Sequence, residues 1–226
     1  MKIIRIEVAT FNAGHSLAHL DGRWKDIVAR CNPRLIAVPP ADLTAFRIET
    51  DDGAEGSAVV GMPRKGRGTP EEIRARLEPL LLGEDPLYRE RIWNACWDAK
   101  LPLILHSMVD LALWDLAGKC AGLPVWQLLG AARERVKVYI ASHPDFGTPE
   151  DYAEHALAIR KRGYHGYKVH PYMGMNPETN EQIPFRSQAF PDHDIRVARA
   201  IREAVGRDWP LMHDPGMIYD EEQALR

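Results

Sequence analysis

Three residues in the last third of the chain have the types and spacing for proton chemistry. Lys168 and His170 stand two apart in Gly163-Tyr164-His165-Gly166-Tyr167-Lys168-Val169-His170, a short apolar stretch that follows a helical segment. Side chains alternate along a strand, so the amine and the imidazole point to one side. Two titratable groups side by side at the end of an apolar strand cost desolvation energy, which argues for a use. The plainer alternative is that both simply reach solvent. Asp214 ends a further apolar stretch, in His213-Asp214-Pro215-Gly216, and its carboxylate suits a hard divalent cation. The plainer role for it is to cap the turn at Pro215. His213, its neighbour, should point the other way and pack in the core.

The elements that must position these groups can be read from the hydrophobic periods. Residues 2–11, 44–50 and 54–60 alternate as half-buried strands, the last two joined by Asp51-Asp52-Gly53, a hairpin turn. Thr69-Pro70-Glu71-Glu72 is a capping box for a helix closed by Gly83. Asp85-Pro86 should start a second helix, and a third should run from about Leu103 to Cys120, apolar almost all round and therefore buried. The tryptophans of the 93–126 region are expected in the core. Gly118 and Gly122 are small enough for a close approach. Sheet followed by helices makes an α+β unit over residues 1–130.

From residue 131 to 226 the period changes. Strands are expected at 136–141, 167–170 and 209–213, with helices from Thr148-Pro149-Glu150-Asp151, from Asp192 or Asp194, and from Asp220. That β-α-β-α-β-α order predicts a parallel sheet with crossover helices. A closed eight-stranded barrel needs about 250 residues, so three strands of one fit here. Chemistry in such sheets sits at the C-terminal strand ends, which carry Ser142-His143, Lys168 with His170, and His213-Asp214. Adjacent strands are about 4.8 Å apart, close enough for Lys168, His170 and Asp214 to share one small-molecule site. The aperiodic segment Pro171 to Pro191 leaves from the same end, and its Tyr172, Met173, Met175 and Phe185 could cover a pocket. His15 and His19 fall in an irregular loop and are expected to be solvated.

Composition narrows the class. The 226 residues are 45% hydrophobic and 27% charged with a formal charge of −3, which suits a globular protein and disfavours nucleic acid or an anionic membrane as partner. The three cysteines, Cys31, Cys96 and Cys120, form no C-x-x-C pair, so a cytoplasmic setting fits better than a disulfide framework. The N-terminus lacks the unbroken apolar run of a signal peptide.

Met108-Val109-Asp110-Leu111-Ala112-Leu113-Trp114-Asp115-Leu116-Ala117-Gly118-Lys119, with Pro124-Val125-Trp126-Gln127-Leu128-Leu129-Gly130, resembles the signature of the mandelate racemase/muconate lactonizing group of the enolase superfamily. The resemblance runs from the first strand through the Asp52-Gly53-Ala54-Glu55-Gly56 hairpin to the last residue, and the chain covers part of the family's length. It implies an N-terminal capping domain, residues 1–130, followed by the first three βα units of an incomplete (β/α) barrel, residues 131–226. It also implies Mg²⁺-assisted removal of the proton α to a carboxylate, with dehydration of an acid sugar as the outcome. Racemisation, epimerisation or cycloisomerisation would share that first step. Lys168 would be the base, His170 its partner at the motif's second position, and Asp214 a metal ligand. His15 would touch substrate from the cap, and His143 and Tyr172 from the barrel. A homo-oligomer is implied for the full-length protein. Gly216 stands where the family often has Asn, and His170 where it more often has Lys, a feature of the acid-sugar dehydratases. A non-catalytic fragment is the competing reading, because strands carrying the other carboxylate ligands are missing.

Overall fold

The computed structural model describes residues 1–12, 42–61 and 68–226, which form two compact units dividing at Glu134/Arg135. His15, His19 and Cys31 lie outside the described residues. Cys96 is buried, Cys120 is exposed, and both are free. No described helix is long and apolar enough to cross a membrane.

In the first unit, β1 (Ile3–Asn12), β2 (Asp42–Thr50) and β3 (Glu55–Gly61) form an antiparallel meander. The register sets Ile6 against Ile48 and Phe46 against Ala58 on the buried period-2 face, which Thr44 and Thr50 bound at either end of β2. Gly53 turns the hairpin with φ of 83°. Four helices follow: α1 (Pro70–Leu81), α2 (Arg89–Asp98), α3 (Leu103–Ala121) and α4 (Val125–Leu128). Thr69 caps α1 in the expected box, its side chain and that of Glu72 each accepting the other's backbone N–H. Met108, Val109, Ala112 and Leu116 of α3 pack in one core with Phe46, Ile48 and Val60. Burying each of the larger of these side chains stabilises the fold by about 1.5–3 kcal/mol. Gly56 makes the approach possible, since a Cβ there would stand 2.1 Å from the Ala112 carbonyl oxygen.

Three expectations for this unit need correction. The second helix starts at Arg89, because the Asp85 carboxylate accepts the Leu87 N–H at 3.0 Å and holds Asp85-Pro86 in a turn. Helix α3 is not buried all round, since Leu103 is 66% and Leu111 51% exposed. Trp97 and Trp126 are exposed as well. A mostly apolar stretch reports that a helix is hydrophobic, but not how many sides of it are covered.

The second unit is a parallel sheet in the order β4 (Tyr139–Ala141), β5 (Gly166–Val169), β6 (Leu211–His213). Crossover helices α5 (Pro149–Lys161) and α6 (Pro191–Val205) connect the strands, and α7 (Glu221–Ala224) follows β6. Tyr167 and Val169 of β5 pack with Tyr152, Ala156 and Ile159 of α5 and Val197, Ile201 and Val205 of α6. Alternation then puts Lys168 on the other side of the sheet. The first strand is shorter than its apolar run, and Val136 and Val138 are exposed. Helix α6 starts at Pro191, which occupies its first turn, and Asp194 is buried rather than capping.

Candidate active site

The three strand ends lie level. The Ser142 N–H donates to the Lys168 carbonyl at 2.8 Å, and the Asp214 N–H donates to the Val169 carbonyl at 3.0 Å. This ladder carries Lys168 and Asp214 to one mouth, where Nζ of the lysine donates to Oδ2 of the aspartate at 2.9 Å. The pair is partly open, with 21% of the Lys168 side chain and 40% of the Asp214 side chain exposed. The Lys168 hydrogen bond, followed by the Gly216 N–H on Oδ1 at 3.2 Å, holds the Asp214 carboxyl below its ordinary range. The amine of Lys168 is thus already paired with a carboxylate.

His170 follows β5 directly, and its peptide is gripped on both sides. Its N–H donates to Ser142 Oγ at 2.9 Å, and its carbonyl accepts from the Tyr152 hydroxyl at 3.2 Å. Tyr152 in turn accepts the Phe146 N–H at 3.0 Å. Burial lowers the His170 pKa first, and the cations of Lys168 and Arg186 push the same way against Asp214. The ring is therefore neutral at neutral pH, and its Nδ1 is buried with no hydrogen-bond partner among the described residues. An orphaned polar atom of this kind at a strand mouth is the sort of group a ligand satisfies.

The remaining candidates stand elsewhere. Tyr172 is buried in the core, its hydroxyl donating to the Gly147 carbonyl and its ring edge-on to His193 at 4.6 Å. His143 is half-buried, and His155, lowered to about 4 first by burial, interacts with it. His213 is exposed rather than packed in the core, its ring 5.6 Å from that of Tyr219. A strand end has no helix layer above it, so alternation alone does not guarantee burial there.

One residue at the mouth gave no clear sequence signal. Asp145, fully buried, accepts the consecutive N–H groups of Met173, Gly174 and Met175 at 2.8–3.2 Å. It thereby ties the segment after His170 to the end of β4. That segment is not structureless: it returns on itself as a hairpin, with the Arg186 N–H on the Met173 carbonyl at 2.7 Å. Its turn was encoded in Asn176-Pro177-Glu178-Thr179-Asn180, where the Asn176 side chain accepts from the Glu178 and Thr179 N–H groups. Met173 and Met175 pack inward, whereas Phe185 is exposed.

Magnesium binds several oxygens, usually from more than one carboxylate and water. Among the described residues no three His, Cys, Asp or Glu side chains come together as a metal site. Asp214, already engaged by an ammonium, does not by itself fit that ion.

Residues 28–130 match the family described as "Mandelate racemase / muconate lactonizing enzyme, N-terminal domain". The chain is 32% identical over 202 residues to arabinonate dehydratase of Saccharolobus solfataricus, covering 84% of this chain and 49% of that protein. It is 33% identical over 190 residues to L-talarate/galactarate dehydratase of Salmonella typhimurium, covering 79% and 43% respectively. The crystal structure of D-glucarate dehydratase from Agrobacterium tumefaciens complexed with magnesium superposes with a TM-score of 0.70 at 29% identity, covering all of this chain and 56% of that one. The chain thus spans about half the length of the curated relatives it matches.

Proposed function

The chain belongs to the mandelate racemase/muconate lactonizing group of the enolase superfamily, of which it carries an N-terminal portion, and from that premise we propose that the protein is an acid-sugar dehydratase. The supporting observation is the meeting of Lys168 and Asp214 at 2.9 Å, on adjacent strand ends, beside a neutral His170. The reaction removes the proton α to the substrate's carboxylate and expels the β-hydroxyl as water, leaving an enol that becomes the 2-keto acid. Lys168 is the base. As an ammonium bound to Asp214 it has no lone pair, so the working form is the neutral amine, with Asp214 engaged by another cation. His170 is the proton donor to the leaving hydroxyl. Burial and flanking cations disfavour its protonated form, which makes the imidazolium a stronger acid when it does form.

Magnesium is the cofactor proposed for the whole protein, where it would stabilise the negative charge that develops on the carboxylate. Asp214 is the candidate ligand from this chain. The barrel, with residues 131–226 as its first three βα units and residues 1–130 as the cap, is part of the same proposal. A second reading rests on there being no three-ligand cluster among the described residues: the 226 residues alone would not turn over an acid sugar. Racemisation and epimerisation share the first step and have no separate support here.

The test is a panel of aldonic and aldaric acids with Mg²⁺, following formation of keto acid by the protein at full length. Lys168→Ala should lower turnover by about 10²–10⁴-fold, the range for a positioned acid–base group. Turnover retained in that variant would remove Lys168 as the base. Wild-type protein that converts no member of the panel would overturn the dehydratase assignment.

A further inference from the structure

We propose that Arg186 selects the substrate, favouring sugar acids with a carboxylate at both ends by binding the one remote from the reacting carbon. The proposal rests on the α-proton abstraction assigned above and adds the substrate class. Arg186 stands at the closing end of the hairpin that follows β5. The hairpin is held by its own ladder, with the Ile183 N–H on the Gly174 carbonyl at 3.0 Å and the Asn176 N–H on the Glu181 carbonyl at 2.8 Å. Its base is fixed by Asp145 on the N–H groups of Met173, Gly174 and Met175. Arg186 is therefore presented from a rooted element.

The hairpin delivers the guanidinium to the mouth. Its Nε lies 3.9 Å from where a Cβ would stand on Gly216, two residues beyond Asp214. The Met173 methyl lies 2.6 Å from the same point, so methionine and arginine fill the space that a side chain at 216 would take. His170 feels the Arg186 charge, as it feels those of Lys168 and Asp214. Arg186 also adopts φ of 60°, a left-handed conformation that arginine rarely holds without some constraint.

The charges at the mouth are not all paired. Lys168 and Asp214 neutralise each other at 2.9 Å, and His170 is neutral. Arg186 has no carboxylate partner among the described residues; its guanidinium lies over the Phe185 ring at 5.3 Å. The Arg186 guanidinium is a planar fork suited to a carboxylate. Its depth decides which carboxylate. Lys168 is mostly covered, whereas Arg186 is exposed, so a substrate with its α-carbon at the amine turns its far end toward the guanidinium. In a monocarboxylic acid that end is a neutral hydroxymethyl group, and the guanidinium goes unmatched.

Arg186→Gln and Arg186→Lys test this, with D-glucarate and D-gluconate as the paired probes. For Arg186→Gln the glucarate-to-gluconate ratio of kcat/KM should fall about tenfold or more, mainly through KM, as expected for losing a charge-assisted pair. Arg186→Lys should restore part of that ratio. An equal loss on both acids would place Arg186 at the shared carboxylate and overturn the proposal, as would no loss on either. If neither acid is converted, the dehydratase assignment fails on its own, and calorimetric titration with the same two acids still reads Arg186. Tighter glucarate binding that is abolished in Arg186→Gln supports the proposal, and equal affinities in the wild type overturn it. Unchanged amide exchange at Met173, Gly174 and Met175 shows that the hairpin is intact in each variant.

Discussion

Replacing Asp145 tests whether the mouth is held together as described. The carboxylate is fully buried and accepts three consecutive backbone N–H groups, with Gly174 close to both oxygens at 3.2 and 3.0 Å. Asp145→Asn keeps one acceptor oxygen for Met173 and Met175 but turns an NH₂ toward the Gly174 N–H, so a donor meets a donor. Hydrogen bonds to a charged group are worth about 1.5–3 kcal/mol each, and a buried donor left unpaired costs about 1–3 kcal/mol. Losing the charge on the Met173 and Met175 bonds, and leaving Gly174 only its longer 3.2 Å contact to the retained oxygen, should cost about 1–3 kcal/mol. The damage should be local. Amide exchange at Met173, Gly174 and Met175 should accelerate far more than at Ile201 in the α6 core, and trypsin should cut faster after the exposed Arg186. Denaturant melting gives the total. A loss under about 0.5 kcal/mol, with exchange at the three amides unchanged, would refute the claim that Asp145 roots the hairpin. Uniform acceleration across the unit would show instead that it is merely a core residue.

Two further predictions concern packing and pH. Gly56→Ala would bring a methyl to 2.1 Å from the Ala112 carbonyl oxygen and 2.7 Å from the Leu116 Cβ, both on helix α3, so the helix must shift. A loss of about 1–3 kcal/mol in chemical denaturation is expected, and an unchanged midpoint would mean the sheet and helix stand further apart. His193 is held down to about 4, first by burial and then by the Arg196 charge. A depressed histidine costs nothing above its unfolded value near 6.5, and destabilises the fold as pH drops from there toward 4. Asp194 has the opposite sign: burial pushes its carboxyl up to about 6, so its cost at neutral pH is relieved on acidification. His193→Phe should flatten the acid limb of a stability–pH profile by at most about 2 kcal/mol, after allowing for nearby solvent. A profile that superposes on the wild type would show that His193 titrates normally.

What the sequence disclosed depended on the range of the signal. The capping boxes at Thr69 and Thr148 are complete within four residues, and both form as expected. The alternation of Phe46, Ile48, Ala58 and Val60 fixed which face of the first sheet is buried, because one period-2 face must find cover. The spacing of Lys168 and the position of Asp214 sufficed to bring the two together, since parallel strands in register put their ends at one level. Burial at the edges was harder to read. Val136 and Val138 are β-formers that lie exposed, and Asp194 looks like a cap yet is buried against the Tyr219 hydroxyl. In each case the deciding neighbour is distant in sequence.

Backbone conformation at the mouth escaped the sequence for a different reason. Asp145, Arg186 and Met217 all have positive φ, at 51°, 60° and 63°, and none is glycine. Aspartate tolerates that region; arginine and methionine do so less readily. Pattern and propensity place such residues in ordinary loop conformations, so they point away from what the structure holds here. The three follow β4, β5 and β6 respectively, and Asp145 is tied to the segment after β5 through the Met173, Gly174 and Met175 N–H groups. Strain that persists only because surrounding contacts over-determine it tends to collect where a site must be held ready. That gives the Asp145 bonds a role beyond stability: without them nothing in the hairpin's own ladder fixes its distance from Gly216. If strain and anchoring act together, Asp145→Asn should also erode the discrimination assigned to Arg186, and the two substitutions combined should cost less selectivity than the sum of each alone.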